Sequence, residues 1–120
     1  MNLWIGFDFD GVLVGPPSAG RTHGDNIQPM VDLLRLFLSN KIPCRIFTAR
    51  AGNPYSTQIV QNWLDSNGLA GTPITDKKDF NMAALFDDLA ITSRRGQLIT
   101  PIDTINTILS TLNFHIEPSQ

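Results

Sequence analysis

The segment Phe7-Asp8-Phe9-Asp10-Gly11-Val12 constrains this chain more than any other. It closes an apolar run, Leu3-Trp4-Ile5-Gly6-Phe7, with two carboxylates one residue apart and then a glycine. Side chains on a strand alternate between faces, so Asp8 and Asp10 can point the same way. Gly11 then permits a sharp turn at whatever φ the backbone needs. Two like charges held this close are unfavourable unless a cation or a shared proton relieves them. The segment is therefore either a surface turn or the rim of a site. As a turn, Asp-Gly between apolar stretches is a strong hairpin signal, with Leu3 to Phe9 pairing back on Val12-Leu13-Val14.

The pattern downstream favours the site. Leu3 to Phe9 is apolar on both faces, as suits a central parallel strand covered by helices. Gly15-Pro16-Pro17-Ser18-Ala19-Gly20 starts a loop that runs to about Asn26, and residues 12–28 read as a flexible loop or flap. Pro29 opens a helix on which Met30, Val31, Leu33, Leu34, Phe37 and Leu38 recur at helical spacing, ending near Asn40. Ile42 to Thr48 reads as a second strand with Pro43 at its start. Asn53-Pro54 opens a helix with Ile59, Val60, Trp63 and Leu64 as its buried stripe and Gly68 at its end. Ile74-Thr75 reads as a short third strand, and Ala83 to Phe86 as a fourth that runs into Asp87-Asp88. Thr100-Pro101 begins a last helix carrying Ile102, Ile105, Ile108, Leu109 and Leu112, with Asp103 in the first turn where the helix dipole favours it.

Strands alternating with helices predict an α/β fold, a doubly wound parallel sheet of the three-layer Rossmann-like kind. Ligands of such sheets bind at the carboxyl ends of the strands. Those ends carry Asp8 and Asp10, Thr48, and Asp87 and Asp88, all polar and all following apolar runs.

Length and composition agree. The 120 residues suit one domain, 1–120, with a real core, and 42% apolar with 17% charged residues is a globular composition. Nine basic against eleven acidic residues give a net charge of -2, which lends no support to broad nucleic-acid binding. The single cysteine, Cys44, rules out an intramolecular disulfide and a cysteine-built metal site, and reads as a small core residue. No signal peptide is visible and no stretch approaches the roughly 20 apolar residues of a membrane span. The expected location is cytoplasmic.

In their order, Asp8-Phe9-Asp10-Gly11-Val12, Thr48, the Lys77-Lys78 pair and Asp87-Asp88 resemble the motifs of the haloacid dehalogenase-like hydrolase superfamily. Phe47-Thr48-Ala49-Arg50 and Phe86-Asp87-Asp88 look like its small phosphatase-like members. The resemblance spans residues 3 to about 100. It implies a phosphomonoester hydrolase in which Asp8 attacks phosphorus and becomes an aspartyl-phosphate. Asp10 would act as general acid and then general base. Thr48, through its hydroxyl and backbone amide, and Lys78, or Lys77 beside it, would meet the phosphoryl charge. Asp87 and Asp88, with Asp8 and the Asp10 carbonyl, would hold Mg²⁺. Gly11, Ala49 and Arg50 border the substrate in this pattern, although Arg50 reads equally as an exposed side chain, and His23 as a structural loop histidine.

Two departures stand out. Leu89 takes a place where an arginine is frequent, and Asp79-Phe80-Asn81 follows the lysines where a proline is common. The segments 11–29 and 51–76 leave no room for a lid, so the resemblance implies a capless member with an open site. Such a site suits a phosphorylated small molecule, a phosphate on a larger one, or a lid lent by a second copy in a homo-oligomer. Two alternatives keep the same residues. One is a phosphotransferase or a nucleotide or nucleic-acid-end phosphatase; the other is a metal- and phosphate-binding module without turnover.

Overall fold

A computed structural model of the chain describes residues 2–88, 93–94, 96–98, 100–111 and 113. The chain divides into two compact units, Met1–Asp88 and Leu89–Gln120.

The first unit is an α/β assembly on a four-stranded parallel sheet. Its elements in chain order are β1 (Trp4–Asp8), α1 (Gln28–Ser39), β2 (Cys44–Phe47), a 3-10 turn (Ala49–Gly52), α2 (Pro54–Ser66), β3 (Ile74–Thr75) and β4 (Met82–Phe86). The sheet order is β3-β2-β1-β4, which makes β1 a central strand. Its residues pair in parallel with both neighbours, Phe7 with Ile46 on one side and with Phe86 on the other. The hairpin alternative is thereby set aside, because both edges of β1 are taken by parallel partners. Val12-Leu13-Val14 instead folds into a tight turn. The amides of Leu13 and Val14 both donate to the Phe9 carbonyl, at 3.0 and 3.1 Å, and the Gly11 amide donates to Val14 at 2.8 Å.

All three residues of that turn are buried, so the loop expected over 12–28 is much narrower than its glycines and prolines suggest. Removing three aliphatic side chains from water outweighs the flexibility of the flanking glycines. The amide of Gly15 donates to Asp25 and that of Ile27 to Leu13. Residues 16–22 form its continuously exposed stretch.

The alternation read from the sequence explains the core. Phe7 and Phe9 are fully buried with Val31 and Leu34 of α1, Ile46 of β2 and Val60 of α2. Phe7 packs edge-on against Phe37, and Phe9 edge-on against Trp63. Helix α1 carries Pro29 in its first turn and has no side-chain cap. Helix α2 is capped by Asn53, whose Oδ1 accepts from the amides of Tyr55 and Ser56 at 2.8 and 3.2 Å. Asn53→Ala is expected to cost about 1 kcal/mol, read as a lower midpoint in urea with an unchanged slope.

At the opposite end of β1, the Trp4 indole donates to Asp79 at 2.9 Å, and Arg45 lies 4.6 Å from the centre of the Trp4 ring. That indole hydrogen bond holds the Asp79 carboxyl below its ordinary pKa. Asp79 also accepts from the Asn81 amide at 2.8 Å. An aspartate-capped turn thus leads into β4.

The second unit contains an antiparallel pair, β5 (Ser93–Arg94) and β6 (Gln97–Leu98), and a helix, α3 (Ile102–Thr111). The helix matches the sequence reading, while the hairpin around Gly96 was not anticipated. Leu89 and Leu112 lie outside the described residues. No helix among the described residues is long and apolar enough to cross a membrane.

Candidate functional site

The sheet register brings the polar strand ends to one edge. Asp8 pairs with Phe47, so Thr48 follows beside it; Phe7 pairs with Phe86, so Asp87 emerges next to Asp8 on the other side. The result is a cluster of three carboxylates, Asp8, Asp87 and Asp88, whose ligand atoms lie within 4.8 Å of one another.

That closeness has an electrostatic signature. The Asp8 carboxyl is pushed from 3.8 up to about 6, first by burial and then by the charge of Asp87, with smaller contributions from Asp88 and Asp10. Asp88 is raised as well, again mainly by burial and with Asp87 adding to it. The cluster therefore resists full ionisation by itself. Its donors are all hard oxygens, the set a hard divalent cation takes.

Gly11 makes room for the cluster. Its φ is +90°, a region that side-chain-bearing residues rarely occupy, and a Cβ there would collide with the Asp88 carboxylate. The glycine thus serves both the turn and the close approach of Asp88.

Asp10 departs from the convergence of four carboxylates. Arg50 grips it with a fork: Nε donates to Oδ2 and Nη2 to Oδ1, at 2.7 Å each. The fork offsets one negative charge at the rim, and the pairing raises the already high pKa of Arg50. The sequence does not show this pair, because it depends on where the turn after β2 places the Arg50 side chain.

Thr48 is buried at the end of β2. Its hydroxyl oxygen accepts from the Arg50 amide at 3.2 Å. Its own amide, expected to face an anion, donates instead to the Thr75 carbonyl at 2.8 Å. Continuing the β2–β3 ladder one residue beyond the strand takes that donor out of play. Ala49 and Arg50 form the 3-10 turn that follows.

Lys77 and Lys78 follow β3, the edge strand two places from β1 in the sheet. Both are exposed, and neither takes part in an ion pair among the described residues. His23 packs its ring edge-on against Phe9, with Nδ1 2.8 Å from the Gly24 carbonyl, in keeping with a structural role. An amide network unforeseen in the sequence links Trp63 Nε1 to Asn26 at 2.7 Å and Asn26 to Asn67 at 2.8 Å.

Compared with family models, with curated proteins and with solved structures, the chain finds no match in any of the three.

Proposed function

We propose that the chain is a Mg²⁺-dependent phosphomonoester hydrolase of the haloacid dehalogenase-like kind, with a three-layer sheet and no lid domain. The observation that carries this reading is the meeting of Asp8, Asp87 and Asp88 at one strand edge, with Asp10 two residues on.

In this reading Asp8, Asp87 and Asp88 hold the cation, together with the Asp10 carbonyl. When bound, Mg²⁺ would neutralise the carboxylates and the developing phosphoryl charge. Asp8 attacks phosphorus and the ester oxygen leaves. Asp10, entering the cycle protonated, supplies the proton to that oxygen, is left as the carboxylate that Arg50 holds, and later takes a proton from water. The Thr48 hydroxyl donates to a phosphoryl oxygen, and Lys78, or Lys77, swings in from the β3 side to meet its charge. The open edge suits a phosphate on a small molecule or on a larger one. Transfer to an acceptor other than water would use the same residues.

The test is an aryl phosphate assay with and without Mg²⁺, followed by acid quench to trap phosphate on the protein. Metal-dependent release of phosphate with label on Asp8 is expected. Turnover that persists in EDTA, or label found on another residue, would contradict the assignment.

A further inference from the structure

We propose that Arg50 is the positioning residue of Asp10, aiming its carboxylate for the hydrolysis of the aspartyl-phosphate; this role rests on the phosphatase reading above. Arg50 is fixed from four directions. Its fork holds both Asp10 oxygens at 2.7 Å. Nη2 also donates to the Thr22 carbonyl at 3.0 Å. Its guanidinium lies 5.2 Å from the centre of the Phe9 ring. Its amide donates to Thr48 Oγ1 at 3.2 Å. Its side chain is 19% exposed, against 46% for the Asp10 side chain it holds.

A side chain reaching freely for substrate would not be tied in this way. Planar, two-point pairing fixes the direction of a carboxylate, which a single ammonium cannot do. The neighbours on Arg50 are themselves parts of the site or of its wall. Phe9 separates Asp8 from Asp10, Thr48 closes β2, and Thr22 belongs to the exposed loop. Arg50 therefore couples the loop to the carboxylate.

The step it serves is the second one. The oxygen of water bonds to phosphorus, the bond between phosphorus and the Asp8 oxygen breaks, and its electron pair returns to the Asp8 carboxylate. The proton released by water goes to Asp10. A base that points away from that water leaves the aspartyl-phosphate standing. Attack on an aryl phosphate has a good leaving group and depends less on Asp10.

Arg50→Lys and Arg50→Ala, assayed with Mg²⁺ and an aryl phosphate, are expected to lower kcat by about 100-fold. KM should fall with it, and acid quench should reveal a burst of aspartyl-phosphate well above the low steady level that the unaltered chain holds. Lysine should fail to rescue, because charge without the fork does not aim Asp10. Full rescue by lysine, or a raised KM with kcat and burst unchanged, would overturn the role and make Arg50 a substrate contact. Amide exchange across residues 21–24 gives a readout without turnover: it should quicken in Arg50→Ala, and unchanged exchange would remove the loop coupling. If the unaltered chain forms no phosphoenzyme, the phosphatase reading itself fails, an outcome distinct from an unaltered chain that forms one and variants that behave like it.

Discussion

Asp8→Asn is expected to abolish phosphatase turnover, by on the order of 10³-fold or more, and at the same time to stabilise the metal-free chain at pH 7. The two effects share one cause. Burial first, and then the charge of Asp87, raise the Asp8 carboxyl to about 6. A group whose pKa is raised in the folded state favours folding while it is protonated. That contribution is complete below about 3.8, the unfolded value, and is lost as the pH rises through about 6. Asparagine has the same shape and never acquires the charge. The stability gap between Asp8→Asn and the unaltered chain, measured in EDTA, should therefore be small near pH 4 and widen toward pH 7. Solvent screening brings the expected gain to about 1 kcal/mol, below the roughly 3 kcal/mol such a shift would carry in a fully buried group. Saturating Mg²⁺ should narrow or reverse the gap, because only the carboxylate binds it. A gap that is flat with pH would remove Asp8 from the charged cluster.

Gly11→Ala should disable the site from a position that offers no chemistry of its own. The backbone there has φ +90°, which costs an alanine about 1–2 kcal/mol. The added methyl also occupies the space of the Asp88 carboxylate. Asp88 can swing aside, so the fold should survive with a lowered melting temperature. The displaced carboxylate can no longer meet Asp8 and Asp87, so thermal stabilisation by Mg²⁺ should disappear along with activity. Gly20→Ala is the control, since it also has positive φ but has no atoms within 4 Å of the added carbon. It should lose similar stability and keep its response to metal. Equal metal responses in the two variants would show that Asp88 does not depend on Gly11.

The parallel sheet was legible because its signals are local. The alternation of Phe7 and Phe9 with Asp8 and Asp10, the Asn53-Pro54 cap and the apolar stripes of α1 and α2 each need only a few neighbouring residues to be read. The meeting of Asp8 with Asp87 followed from both lying at carboxyl ends of parallel strands. Features that depend on register or distant partners were not legible. The engagement of the Thr48 amide by Thr75 depends on how β2 pairs with β3. The Arg50–Asp10 fork depends on where the turn after β2 places a long side chain. That Lys77 and Lys78 follow an edge strand comes from the order of the sheet, which spacing along the chain does not encode. The buried Val12-Leu13-Val14 turn was hidden by the glycines and prolines after it, although three consecutive aliphatic residues argue for burial.

Titration of Mg²⁺ into the full chain by calorimetry at pH 7.5, beside Asp8→Asn, Asp87→Asn and Asp88→Asn, tests the central claim most directly. One ion per chain, with binding weakened or lost in all three variants, is the predicted result. No binding by the unaltered chain, or affinity that survives all three substitutions, would contradict a metal centre at this edge of the sheet.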